Sequence, residues 1–531
     1  MNTFYHTGKL VRFTLKREKI ISSVWIICMT VFSVVLAAGM GNMFDDASRK
    51  ALAVTLNNPG IIAMMGPVYG AENYTVGAMY ANTMFIWVAM AVAVMNIFLI
   101  VRHTRADEEN GCMEMTASLS VGRASNLTAA MLSAIIVNLI IGVLHFIGLG
   151  ILNIESMDAT GCAIYGASLA VFGIVFAGLS AVFCQICASS RGAIGLSLGV
   201  LGIIYMLRAS GDIGNEALSL ISPMGLMQRT QPFTENKVLP IIILFTEAVA
   251  FTLLAFWLNS IRDMGQGFIP ARPGRKSASK SLCSPFGLSF RLLRNTMVTW
   301  LIVMFVFAAA YGSVLGNIET FVSKNEFYQT MMGVNEKYSI PMMFISMVNN
   351  IMSLLCTVPL VSVVLKLRKE ETEGRTDYVF SRSVSRKKYF GCYAAIAFVS
   401  SALLQLATAF GLYASAYVML EEKIELAYFV KSSIVYLPAL WVMIGIAILL
   451  LGVAPKYTSV IWGFFGFSFF ITFIGRVLEL PDWLTALTPF SYVPQLPVDE
   501  IKAIPLAVLT AVAIVLSVIG FAGYAKRDQV V

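Results

Sequence analysis

The sequence predicts an all-α polytopic membrane protein, with twelve transmembrane helices disposed as two parallel six-helix repeats. Three observations predict it. The composition is too apolar for water: 58% of residues are hydrophobic and 13% charged, with a mean hydropathy of +0.77, whereas a soluble domain carries roughly 25% charged residues. The apolar residues gather in runs of about 20, the length a helix needs to cross a hydrocarbon core of about 30 Å, where barrel strands would show short alternating segments. Finally, a stretch of sequence recurs. Arg105-Ala-Asp-Glu-Glu-Asn-Gly through Ser118-Leu-Ser-Val-Gly-Arg123 aligns without a gap with Arg368-Lys-Glu-Glu-Thr-Glu-Gly through Ser381-Arg-Ser-Val-Ser-Arg386, 263 residues later, with seven identities in 19 positions. Roughly one identity is expected by chance, so an internal duplication is the natural explanation.

In chain order, hydropathy places spans near 20–40, 77–101, 126–150, 163–186, 192–208 and 238–260, then near 296–317, 341–365, 390–418, 428–451, 459–475 and 504–524. Lys9, Arg12, Lys16, Arg17 and Lys19 precede the first span, and no small-residue cleavage site follows it cleanly, which predicts an uncleaved span. With the N-terminus inside, about 27 of the 38 Lys and Arg residues fall on inside segments. The positive-inside rule therefore sets both termini in the cytosol of a plasma-membrane protein. The same distribution explains the formal charge of +8 without a nucleic-acid partner.

The two halves open and close alike. Lys16, Lys19 and Trp25 share their spacing with Arg291, Arg294 and Trp300, and Ser222-Pro-Met-Gly-Leu-Met precedes span 6 as Thr488-Pro-Phe-Ser-Tyr-Val precedes span 12. An even number of spans per half makes the repeats parallel, related by an axis along the membrane normal. The predicted units are a first six-span half (1–260), a Gly-, Pro- and Ser-rich cytosolic linker (261–290) and a second six-span half (291–531). Surface or re-entrant helices are expected in the outer loops 41–76, 209–237, 318–340 and 477–503.

The chain lacks an energy source of its own. No Gly-x-x-x-x-Gly-Lys-Ser/Thr stretch is present to cradle phosphates, and Gly274-Arg-Lys-Ser matches only its tail. No catalytic triad or carboxylate pair emerges. His6, His103 and His145 lack ligand-spaced partners, so no metal site is predicted. Cys184-Gln-Ile-Cys187 is a lone Cys-x-x-Cys at a span end, and the eight cysteines imply no disulfide framework. Glu247 in span 6 must face a partner, a cavity or a proton, since an ionised carboxylate at mid-membrane costs at least about 2.5 kcal/mol. Asn96, Asn138 and His145 in spans 2 and 3, with Asn349 and Asn350 in span 8, are expected to make interhelical hydrogen bonds or else border a substrate path. Arg208 and Arg476 near outer span ends are expected to snorkel.

The repeated cytosolic stretch carries more. Lys366/Glu370, Lys369/Glu373 and Glu371/Arg375 are spaced i, i+4, so span 8 is predicted to continue as a charged helix that Gly374 ends. Ser120 in the first copy, and Ser383 or Ser385 in the second, are placed to cap the returning helix. The result is a mixed-charge helix–turn–helix knob once per half. Its candidate coupling residues are Arg105, Asp107, Glu108, Gly111, Glu114, Ser120 and Arg123, and their counterparts Arg368, Glu370, Glu371, Gly374, Arg375, Asp377, Ser383 and Arg386. Two similar knobs suit a partner that is itself a two-fold dimer.

Glu-Glu-x-x-Gly, an acidic residue and Ser-Val-x-Arg, repeated between spans 2 and 3 of two six-span halves, resemble the type-2 ABC export permeases. The linker, Asp263-Met-Gly-Gln-Gly-Phe-Ile-Pro-Ala-Arg-Pro-Gly running on to Leu288-Ser-Phe-Arg-Leu-Leu-Arg294, is similar to the mid-chain signature of their fused twelve-span subfamily, described as exporters of polyketide antibiotics. The resemblance implies that each loop docks on a separate ATP-binding-cassette ATPase, one copy per half. ATP and Mg would then be held by that partner, with no cofactor on this chain. It further implies that spans 2, 5, 8 and 11 border the path of a small amphipathic substrate. The first copy departs from the pattern at Cys112, where the second has Arg375. Two other functions stay open: an ion-coupled secondary transporter, which Glu247 would serve, and a membrane sensor that binds an ATPase without transporting.

Overall fold

The structure, a computed structural model, describes residues 3–57, 59–263, 265–269, 277–317, 339–420, 423–474, 481–496 and 502–527. The described residues form helices joined by turns, and eleven helices are long and apolar enough to cross a membrane. The protein is an all-helical, multi-pass membrane protein.

The chain divides into two compact units, 1–274 and 275–531. In the first unit the spans are Thr7–Met43, Val76–Val101, Ser125–Gly150, Ala159–Ile186, Ser190–Ile213 and Leu239–Ile261. Span 4 is the hub. Its apolar side chains are buried on nearly all sides, against spans 2, 3 and 6, while span 1 lies along span 3. In the second unit the spans are Pro285–Gly312, Ile340–Thr372, Arg386–Met419, Leu437–Val453, Val460–Ile474 and Ala503–Lys526. Span 7 lies along span 9, and span 10 packs on spans 8 and 12, so the neighbours recur in the same order. Close helix approach needs small residues where lipid supplies no hydrophobic drive. A Cβ added at Gly452 of span 10 would overlap the Gly520 carbonyl of span 12.

Span 11, Val460–Ile474, has 15 described residues, and positions 475–480 that follow it lie outside the described residues. Most of the loop 318–340 lies outside the described residues, as does Arg476. Short helices do occupy the loop between spans 1 and 2 (Asp46–Leu56, Pro59–Met65) and the loop before span 6 (Glu216–Ile221, Pro223–Gln228).

Arg208 corrects the snorkelling expectation. It is fully buried, pairs with Asp212 at 3.2 Å and donates to the carbonyls of Ile62, Ala63 and Met64. Those carbonyls end the helix Pro59–Met65, where orphan acceptors and the negative pole of the helix favour a cation. Arg208 thus holds an outer helix against span 5.

Candidate functional site

Both repeated loops are built from the end of a long span. Span 2 runs through a π-helical turn, Arg102–Ala106, into Asp107–Glu109, whereas span 8 continues unbroken to Thr372. Gly111 (φ 76°) and Gly374 (φ 67°) then reverse the chain in the left-handed region that glycine adopts without strain. A short helix follows each glycine: Cys112–Ala117 in the first loop and Arg375–Phe380 in the second.

Capping of the returning helix differs from expectation. In the second loop Ser385 is the N-cap and its hydroxyl accepts from the Lys388 N–H at 3.3 Å, while Ser383 stands exposed. In the first loop Ala124 is the N-cap and has no side chain to offer. Ser120 lies too early in the chain to cap, and its carbonyl instead bonds His6 Nδ1 at 2.9 Å.

Four of the acidic residues, Asp107, Glu108, Glu370 and Glu371, are turned inward. Glu371 does not pair with Arg375. It takes two bonds from Arg527, at 2.7 and 3.0 Å, and Arg375 pairs with Glu370 and Glu373. Lys366–Glu370 (2.8 Å) and Lys369–Glu373 (3.7 Å) form as the i, i+4 spacing predicts. In the first loop Glu108 accepts from Arg105 at 2.8 Å and Arg262 at 3.0 Å, and from the Gly265 N–H at 2.6 Å. Asp107 holds Arg17 through two bonds of 2.7 Å. The side chains of Glu108 and Glu371 are only 6% and 4% exposed.

Arg105 is also interior, donating to the carbonyls of Ala188, Gln266 and Gly265; Arg368, its counterpart, is only half-buried. Arg123 and Arg386 donate to the carbonyls of Arg262 (2.6 Å) and Arg527 (2.8 Å). Sequence reasoning missed Arg262 and Arg527. The signal was present, since each is the first residue of an Arg-Asp pair closing its half, Arg262-Asp263 and Arg527-Asp528.

The short helices face solvent. Glu114, Asp377 and Cys112 are exposed, and so are three large apolar side chains: Met115 (75%), Leu119 (65%) and Tyr378 (81%). Met115 and Tyr378 occupy the same place in the two copies. Cys112, the mismatched position, is a free exposed thiol.

Cys184 and Cys187 frame the turn into span 5, where Cys187 forms a single bridge with Ile269 of the linker. Burial pushes the Cys187 thiol up, against the pull of Arg105. A raised thiol is a poor nucleophile, and the backbone at Cys187 supports the turn.

Most of the buried polar residues are spent on helix packing. Asn96 and Asn138 exchange amide bonds of 3.0 and 2.7 Å, and each also donates to the carbonyl four residues earlier. His145 donates from Nδ1 to the Ile141 carbonyl at 2.8 Å, which leaves Nε2 to accept from the Ser33 hydroxyl at 3.1 Å. Asn349 donates to Ser432 and accepts from Ser433, both at 2.9 Å. These four join span 2 to span 3, span 1 to span 3, and span 8 to the helix Leu426–Ile434. Two residues keep spare capacity. Asn350 Oδ1 and Glu247 Oε2 are enclosed without a hydrogen-bond partner among the described residues.

Comparison with known proteins fits this architecture. The family model for the C-terminal domain of the multidrug efflux system permease Rv1217c matches residues 11–258 and 282–525. The chain is 30% identical to the multidrug efflux system permease protein Rv1217c of Mycobacterium tuberculosis, over 99% of this chain and 95% of that protein.

Proposed function

Given that the chain belongs to the multidrug efflux permease family, we propose that it is the membrane subunit of an exporter driven by ATP hydrolysis on separate ATP-binding-cassette subunits. Two copies of that ATPase dock on the cytosolic loops, one per half, with ATP and Mg held between them. The cargo is a small amphipathic compound of the antibiotic type, moved outward, and both termini of the chain lie in the cytosol. The fused subfamily of polyketide-antibiotic exporters is the finer assignment.

One observation carries this reading. Met115 and Tyr378 stand at equivalent places on short helices at the tips of two cytosolic knobs, exposed and apolar. Large apolar side chains held out at the ends of charged, internally bonded loops are suited to insertion into a partner's cleft, where such residues contribute most of an interface's energy. In Met115→Glu/Tyr378→Glu, ethidium export from cells should fall to background while the chain still inserts. Wild-type export in that variant would overturn the reading.

Glu247 favours a second reading, ion-coupled transport, because its enclosed oxygen has no partner among the described residues. Loss of export in Glu247→Gln, with export persisting when cellular ATP is depleted, would select it.

A further inference from the structure

In each half, the two limbs of the cytosolic loop meet on one residue beyond the loop. The outgoing limb supplies a carboxylate: Glu108 Oε2 lies 3.0 Å from Arg262 Nη2, and Glu371 Oε2 lies 2.7 Å from Arg527 Nη2. The returning limb supplies a guanidinium: Arg123 donates to the Arg262 carbonyl, and Arg386 to the Arg527 carbonyl. Arg262 and Arg527 are the C-cap residues of spans 6 and 12. A carbonyl at that place has no partner in its own helix and sits at the negative end of the helix dipole, so a charged donor binds it well. Side chain and backbone of one residue thereby close a ring around the loop.

The four loop residues involved, Glu108 and Arg123 with Glu371 and Arg386, are identical between the copies. The carboxylates are too buried to be docking groups. We propose that Arg262 and Arg527 are positioning residues that fasten each cytosolic loop to the end of the last span of its half, so that a displacement of the loop is delivered to that span as well as to the two spans the loop connects. This rests on the loops being the sites where an ATPase pushes.

The fastening is unequal. In the first half it is one of several, since Arg105 holds the carbonyls of Ala188 and Gln266, Glu109 accepts from the N–H and hydroxyl of Ser190 at the start of span 5, and Asp107 holds Arg17. In the second half, among the described residues, the other ion pairs of the loop run within span 8 and the loop itself. Arg527 is therefore the more consequential of the two.

Hydrogen–deuterium exchange of the full chain in lipid nanodiscs, compared between Arg527→Ala, Arg262→Ala and the exchanged pair Glu371→Arg/Arg527→Glu, tests the fastening. Opening of the second loop should speed amide exchange over 373–385 about tenfold in Arg527→Ala, which corresponds to about 1.4 kcal/mol. Exchange over 110–122 should rise by less than about threefold in Arg262→Ala. The exchanged pair should return to near the wild-type pattern, with exchange inside the spans unchanged throughout. Ethidium export should fall in Arg527→Ala and recover in the exchanged pair. Unchanged loop exchange in Arg527→Ala, failure of the exchanged pair to restore it, or full export from a loosened loop would each overturn the proposal. Absence of ethidium export in the wild type would count against the efflux reading instead, while the exchange pattern still decides the fastening.

Discussion

The first and second repeated loops share seven of 19 residues and the same turn, yet they are held differently. The first is bonded to several elements around its base. Arg17 and Glu18 of span 1 reach Asp107, Arg102 and His103, the backbone of Gly122 donates to Tyr5, and Arg105 spans to the turn before span 5. The second loop is stiffened along its own helix by Lys366, Glu370, Glu373 and Arg375, and is joined to span 12 through Arg527. Duplicated sequence thus preserves the attachment to the last span while the surroundings diverge. Arg105 and Arg368 are the same residue in the same register, but among the described residues only the first bonds carbonyls of a linker and a turn. We infer a braced first loop and a freer second one.

The largest effect that would break this comparison is at Glu371. Replacing it by Lys puts two cations together in a nearly closed site and leaves Arg527 unpaired, which should cost about 3 kcal/mol of local stability. The expected outcome is accelerated proteolysis at the second loop in Glu371→Lys; the same change at Glu108 should open the first loop less, because its other bonds remain. Equal cleavage of the two loops would remove the asymmetry.

Next in size is the buried amide pair. Asn96→Ala leaves Asn138 with an unanswered donor and acceptor, and should lower stability by about 1–2 kcal/mol. A double-mutant cycle with Asn138→Ala should show a coupling of about 0.6–1.7 kcal/mol, the range for hydrogen bonds between membrane helices. Additive losses in thermal unfolding would mean the pair is not formed.

The smallest effect sharpens the difference in capping. Ser385→Ala should cost about 1 kcal/mol at the start of span 9. Ser120→Ala should change stability by less than about 0.5 kcal/mol, since only its carbonyl is used. A comparable loss at both positions would contradict the observed caps.

The helical membrane architecture was legible from hydropathy because lipid demands long apolar helices that satisfy their own backbone. Gly374 was legible as the end of a helix because glycine adopts the left-handed backbone without strain. The i, i+4 pairs of span 8 formed where the contact is set by helix geometry alone, as with Lys366–Glu370. The pair Glu371/Arg375 did not form, because Gly374 ends the helix between them and Arg527, 156 residues away, offers a closer partner. Spacing cannot see such a competitor. Arg208 misled in the same way: a cation near a span end snorkels when nothing polar is near, and here the end of an outer helix was waiting for it. The polar residues in the spans could be located in sequence but not assigned, since whether an amide faces a path or another amide is decided by helix rotation.

The central claim is that an ATPase docks on the exposed helices Cys112–Ala117 and Arg375–Phe380. Purification of the chain from its own cells, with the associated ATPase activity measured alongside the wild type, Met115→Glu/Tyr378→Glu and Glu247→Gln, tests it most directly. The account predicts a co-purifying subunit with a Gly-x-x-x-x-Gly-Lys phosphate loop, its activity lost in the tip variant and retained in Glu247→Gln. An ATPase that remains bound and active when both tips carry Glu would contradict it.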